Sequence, residues 1–107
     1  MVDVVDDVRQ FTISLLVEGE AIFAVEPTTN KTEAYEGETI QVSGAIQNTS
    51  SQADTLFVKM KLNDANGPVL DEMRQTVNAG EIVNFTLQTT MGSSDLLLYV
   101  EAGHEGR

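Results

Sequence analysis

YEGETIQVSGAIQNTSS, residues 35–51, is the stretch that decides the fold. It opens on a Glu-Gly-Glu turn and closes on a run of small polar residues. Between them, side chains alternate in extended chain: Ile40, Val42, Gly44 and Ile46 fall on one side, and Gln41, Ser43, Ala45 and Gln47 on the other. This period of two predicts a half-buried β-strand over about 39–47, because a helix would scatter the apolar residues around its circumference.

Working outward, the same alternation returns several times, each time bounded by turn residues. Strands are predicted over 11–17, 55–62, 83–87 and 95–101, over 21–25, which has apolar residues on both faces as a buried strand does, and over 69–77. Strand 69–77 alternates poorly and carries charges, which is typical of an edge strand. The Asn66-Gly67 dipeptide predicts a hairpin turn in which these residues supply the positive φ, and residues 27–33, PTTNKTE, predict a loop.

About seven short strands, with no convincing helical periodicity in the second half of the chain, predict an all-β protein. The favoured class is an immunoglobulin-like antiparallel two-sheet β-sandwich, and a β-barrel is the alternative. The sandwich domain is expected to span residues 11–102. Residues 1–10 would form an N-terminal arm or lead-in strand, and residues 103–107 a flexible C-terminal tail.

The charge of the chain restricts its partners. Its 107 residues suit one domain, and 17 acidic against 6 basic residues give a formal net charge of −11. Nucleic acid and anionic membrane surfaces would be repelled, so neither is an expected partner. No apolar run is long enough to span a membrane as a helix, and without Cys there are no disulfides or thiolate metal sites.

The first ten residues, MVDVVDDVRQ, do not read as an export signal. Three Asp stand where a signal peptide carries Lys or Arg, and no apolar central region follows. Two alternatives stay open: the chain is made without export, or it is a piece whose signal has been removed.

From Tyr35 onward the order of turns and strands has a recognisable layout. It runs through Gly37-Glu38, residues 39–46, Asn48-Thr49, residues 57–62, Ala79-Gly80-Glu81 and residues 83–87. This layout, over about residues 35–100, resembles the bacterial and archaeal cell-adhesion-related domain, and more loosely fibronectin type III and other immunoglobulin-like surface modules. Ser50 stands where that family usually has Gly. The resemblance implies a surface-exposed, non-enzymatic module and names no partner.

Candidate catalytic residues are few. His104 is the only His, and a metal site could use it with Glu101 and Glu105. It falls in the expected tail, whereas a catalytic base must be held rigidly. Adjacent acids such as Asp71 and Glu72 would point to opposite faces of a strand, which does not suit an acid/base pair. We therefore expect no enzymatic activity and no required cofactor.

Two further kinds of site remain as weaker expectations. The 63–67 loop, NDANG, has oxygen ligands for calcium, but its spacing does not match the helix-loop-helix calcium pattern and a simple hairpin explains the same residues. Three Asn-X-Ser/Thr sequons place candidate glycosylation acceptors at Asn30, Asn48 and Asn84, all expected to be accessible.

The most informative functional residues are apolar side chains opposite the core. Leu16, Phe57 and Tyr99 form the candidate contact surface, since a covered apolar outer face is typical of a sandwich that binds a neighbour. The alternative is that a β-bulge turns one of them inward.

The expected function is thus a structural or adhesion module acting by protein–protein contacts, in a homo-oligomer or larger assembly. It would lie at the surface of a virus particle, as a capsid decoration or cement, or of a cell, as a pilus, archaellum or adhesin component. The alternative function is a calcium- or carbohydrate-binding module on the same scaffold, using Tyr35 or Tyr99.

Overall fold

A computed structural model describes residues 11–19 and 22–105, which form eight strands. The strands are β1 (Phe11–Glu18), β2 (Phe23–Thr29), β3 (Glu33–Ala34), β4 (Thr39–Gln47), β5 (Asp54–Leu62), β6 (Val69–Val77), β7 (Ile82–Thr90) and β8 (Leu96–His104). Within these described ranges, no helix is long and apolar enough to cross a membrane. The predicted arm, residues 1–10, lies outside them.

The strands form two sheets. One has five strands in the order β3-β1-β8-β5-β6, and the other has three in the order β2-β4-β7. The predicted all-β, two-sheet architecture is confirmed. There are eight strands where about seven were expected. The expectation that all of them are antiparallel is wrong: β1 runs parallel to β8, from the pair Ile13 and Leu96 to the pair Glu18 and Glu101, so the five-stranded sheet is mixed. Side chains alternate identically in parallel and antiparallel strands, so this pattern carries no information about strand direction.

The core lies between the two sheets, with β4 at its centre on one side and β5 and β8 on the other. β4 has the bounds that the alternation predicted. The core side chains are almost fully buried, and burial of apolar surface on this scale is the main force holding the sheets together. They include Ile40, Val42, Ile46, Leu56, Val58, Met60, Phe85, Leu87, Leu98 and Val100.

The loop expected over residues 27–33 is shorter than predicted at both ends. β2 continues through Pro27 to Thr29, and the short β3 pairs with the start of β1. β2 is an edge strand, and its pairing with β4 shifts register between Val25 and Thr28. Pro27 falls inside that irregularity, where the missing N–H breaks no ladder hydrogen bond.

The β5–β6 hairpin uses different residues from those expected. The positive φ lies at Asn63, with φ 73°, and neither Asn66 nor Gly67 has one. Gly67 is needed for another reason: a Cβ on it would overlap the carbonyl oxygen of Leu62. The glycine therefore permits a close backbone approach and does not supply a left-handed conformation.

The C-terminal segment is held further than expected. β8 includes Gly103 and His104, and the Glu105 amide donates a hydrogen bond of 2.9 Å to the Thr55 carbonyl. The strand therefore runs past residue 102, the expected end of the sandwich. Residues 106 and 107 lie outside the described part of the chain.

On one side of the sandwich, a carboxylate links the two sheets. β6 and β7 are edge strands of different sheets, and the backbone N–H of Gln88 on β7 donates to Asp71 Oδ2 on β6 at 2.9 Å. A charged acceptor for a backbone N–H is a comparatively strong hydrogen bond. It also occupies an edge amide that would otherwise be open to a second chain.

We expect Asp71→Ala to lower the free energy of unfolding by about 1 kcal/mol, because it leaves the Gln88 N–H without its protein acceptor. Urea denaturation measures this. Glu72→Ala is the matched control on the same strand. Its carboxylate lies 3.5 Å from Arg74 Nη2 with both side chains more than a third exposed, so its loss should change stability by less than about 0.5 kcal/mol. Equal effects of the two substitutions would contradict a joining role for Asp71.

Candidate functional site

The outer face, which is the side of the five-stranded sheet turned away from the core, holds all three predicted contact residues. Register places Leu16 beside Tyr99, Tyr99 beside Lys61, and Lys61 beside Val69. These four residues form one row across β1, β8, β5 and β6, which we call the apolar row. Its two ends are the most open, since Leu16 is 50% and Val69 47% exposed.

Tyr99 sits in the middle of this row and is only 6% exposed. No register shift interrupts the pairing of β8 with β1 or with β5, so Tyr99 faces outward and no bulge turns it into the core. Beside it lies the ion pair of Lys61 with Glu101, whose side chains are 16% and 23% exposed. The aliphatic part of Lys61 can therefore cover apolar surface while its ammonium group stays paired.

Phe57 occupies a second position on the outer face, opposite Gly103 of β8. Its ring lies over the glycine, with Cζ 2.9 Å from where a Cβ on Gly103 would be. Lys59 Nζ and Arg74 Cζ lie 5.0 and 5.3 Å from the ring centroid, within cation–π range. The outer face thus presents an aromatic ring framed by cations beside the apolar row.

The metal cluster considered around His104, with Glu101 and Glu105, does not assemble. Glu101 pairs with Lys61, and Glu105 Oε1 lies 2.7 Å from Arg74 Nη1. His104 Nδ1 instead lies 3.6 Å from Oδ2 of Asp54 and 3.1 Å from the carbonyl oxygen of Glu105. In the described part of the chain, no three His, Cys, Asp or Glu side chains come together as a metal site.

The Asp54–His104 contact was missed by sequence reasoning. It arises because β5 and β8 are antiparallel, which brings the start of β5 to the end of β8. It borders a cleft of about 140 Å³ that Asn48 and Ser50 also line. Ser50 Oγ lies 2.8 Å from Asn48 Oδ1 and 2.7 Å from the Gln52 carbonyl oxygen, so its one proton is engaged by these two acceptors.

A larger cleft of about 280 Å³ opens at the opposite end of the sandwich. Leu62, Leu70 and Leu96 supply its apolar lining, and Asp95 is among its polar residues. Asp95 Oδ1 already accepts a hydrogen bond of 2.9 Å from the Thr12 amide. The carboxylate therefore links the start of β1 to the residue that precedes β8.

The candidate calcium loop, residues 63–67, already binds the ammonium group of a neighbouring lysine. Lys61 Nζ donates to the Ala65 carbonyl at 3.0 Å, and Asp64 Oδ1 accepts from the Asn66 amide at 2.9 Å. A cation bound through these oxygens would have to compete with an ammonium group and a backbone N–H.

The sequon residues differ in accessibility. Asn30 and Asn84 are exposed, as expected, whereas Asn48 is 2% exposed and both of its amide hydrogens are bonded. The expectation that all three are accessible is therefore wrong for Asn48 in the folded chain. Its amide is a structural hydrogen-bonding group, because it closes the loop that follows β4.

Comparison with known proteins identifies no family. No family model matches the chain, and no curated protein matches it. Among solved structures, a crystal structure of Campylobacter jejuni cj0090 is similar, with 17% sequence identity and a TM-score of 0.42. The match covers 88% of this chain and 100% of that one. A likeness at this level carries no argument about fold or function.

Proposed function

We propose that this chain is a non-catalytic structural or adhesion module, immunoglobulin-like in kind, that acts through protein–protein contacts made by its outer face. The observation that carries the proposal is the apolar row. It places two half-exposed aliphatic side chains, Leu16 and Val69, on either side of the buried Tyr99.

The chemistry of the outer face suits a protein partner. Removing apolar surface from water is the general driving force for association, and Leu16 and Val69 are the exposed apolar groups of the row. Phe57 adds an aromatic ring that Lys59 and Arg74 border, although the Arg74 guanidinium is itself paired with Glu105 at 2.7 Å. Aromatic residues and Arg are the types enriched in protein interfaces.

The setting we propose is the surface of a virus particle or of a cell. The acidic, well-solvated surface and the resemblance of residues 35–100 to cell-adhesion-related domains support it. Capsid decoration or cement and a pilus, archaellum or adhesin component are the two versions of this proposal.

The geometry favours protein contact over the ligand-binding alternative. A sugar-binding platform needs an open aromatic ring. Tyr99 is buried and cannot supply one, which leaves Tyr35, 42% exposed, as the more open of the two tyrosines. The loop proposed for calcium carries the Lys61 ammonium on one of its carbonyls.

Photo-cross-linking in the cell or virus that produces the chain tests the proposal. A benzophenone amino acid placed at Phe57 or Val69 should cross-link to a protein. Ile82 is the matched control: it is an exposed apolar residue, 55% exposed, but it belongs to the three-stranded sheet. Cross-linking from the outer face and not from residue 82 is the expected result. Cross-links to protein that are equally strong from all three positions, or none from Phe57 and Val69, would overturn the proposal.

A further inference from the structure

The sheet edges of this molecule are not equally protected. β2 carries Pro27 and a register shift, β6 carries Asp71, Glu72 and Arg74, and the Gln88 amide of β7 is held by Asp71. Proline, irregular pairing and edge charges are the usual protections against pairing with another chain. β1 has none of these between Ser14 and Val17, a stretch reading SLLV.

The neighbour of β1 covers only its beginning. Among the described residues, β3 pairs with Phe11 and Thr12, and the Ile13 amide donates to the Thr32 carbonyl at 2.8 Å. The Thr12 amide points the other way, towards Asp95 at the start of β8. Backbone groups alternate in direction along a strand, so Leu15 and Val17, like Ile13, direct their N–H and C=O groups to the uncovered edge.

We propose that this edge of β1 pairs antiparallel with β1 of a second copy of the chain, with Leu16 opposite the partner's Leu16. The inference deepens the proposed function and rests on it, because it names one protein partner of the outer face. Two five-stranded sheets would then join into one ten-stranded sheet across a twofold axis.

The backbone is complementary to itself in this register. Leu15 stands opposite the partner's Val17, and Val17 opposite the partner's Leu15. Each of these pairs exchanges both of its hydrogen bonds across the edge, so about four new bonds form. These are the residues whose N–H and C=O groups point to the uncovered edge.

The side chains are complementary as well. The two Leu16 side chains meet in the non-hydrogen-bonded position, where opposed side chains are closest. In the single chain, Leu16 is 50% exposed. Glu18 falls opposite the partner's Ser14, so no like charges face each other across the axis. The two apolar rows become one continuous row.

Disulfide trapping tests the register directly, because the chain has no Cys. Opposed residues in the non-hydrogen-bonded position have Cα atoms about 4.5 Å apart, which a disulfide can span. Leu16→Cys should therefore form a covalent dimer under mild oxidation, at a rate at least ten times that of Val69→Cys. Val69 is the matched control: it is equally exposed, on the same face, and at the far edge of the sheet.

Light scattering on the full chain, with Leu16→Lys and Val69→Lys, separates this inference from the proposed function. The unmodified chain and Val69→Lys should reach twice the mass of one chain at high concentration, more readily in high salt because the net charge is −11. Leu16→Lys should stay at the mass of one chain.

The other outcomes overturn the inference in distinguishable ways. If both lysine variants lose the dimer, association occurs through the whole outer face and not through the β1 edge, and the proposed function stands. If the unmodified chain keeps the mass of one chain at every concentration and salt, or if Leu16→Cys and Val69→Cys cross-link equally, the β1 pairing is wrong. The proposed function is then tested independently, by photo-cross-linking from Phe57.

Discussion

Asn48→Ala is expected to lower the free energy of unfolding by about 3 kcal/mol, because it removes a buried hub of hydrogen bonds. Nδ2 donates to the carbonyl oxygens of Val77 and Gln52, each at 2.8 Å. Oδ1 accepts from the Ser50 amide at 2.9 Å and from Ser50 Oγ at 2.8 Å. One side chain thus connects the end of β4, the loop after it and the end of β6.

Urea denaturation of the purified variants measures this effect. Asn48→Asp should cost at least as much as the alanine variant, since it keeps the acceptor but places a carboxylate against two carbonyl oxygens. Asn84→Ala, at an exposed Asn of β7, is the control and should change stability by less than about 0.5 kcal/mol. A cost for Asn48→Ala no larger than that of the control would refute the structural role of the amide.

Gly19→Ala is the second substitution for which we expect a large effect, about 3–4 kcal/mol. Gly19 follows β1 at the crossing between the two sheets and has φ +87°, a region that costs an L-residue about 1–2 kcal/mol. A Cβ there would also overlap the carbonyl oxygen of Ala102 on β8. Because the overlapping atom belongs to the backbone, the strands themselves must shift.

Gly37→Ala separates these two causes. Gly37 has nearly the same backbone conformation, φ +90°, but a Cβ on it would have nothing within 4 Å. It should therefore cost only the conformational term of about 1–2 kcal/mol. Thermal unfolding followed by circular dichroism gives both values. If the two alanine variants are equally stable, the close approach of Gly19 to β8 adds nothing to the free-energy cost of Gly19→Ala.

Local pattern was sufficient to predict the strands but not their partners. β4 has the predicted bounds because alternation and both flanking turns agree there. The same alternation correctly placed Leu16, Phe57 and Tyr99 opposite the core. It could not show that Leu16 lies beside Tyr99, because that neighbourhood depends on a parallel pairing between strands from opposite ends of the described chain.

The details that sequence reasoning missed depend on contacts between distant residues. Asn48 reads as part of a polar loop, and the one local signal was a Ser two residues later, a spacing at which an Asn side chain can accept a backbone N–H. Its buried hydrogen-bond acceptor is the carbonyl oxygen of Val77, far along the chain. Likewise, the position of His104 beside Asp54 becomes visible only when the antiparallel register of β5 and β8 is known.

The parallel pairing of β1 with β8 has a mechanical consequence. Residue 11 begins β1 at one end of the sandwich and residue 104 ends β8 at the other, so a pull applied between these two points runs along the paired strands in opposite senses. The ladder is then loaded in shear, and its hydrogen bonds share the tension. An antiparallel pair pulled from adjacent ends would instead unzip one bond at a time. This geometry would let the domain bear load along a tether without first peeling open.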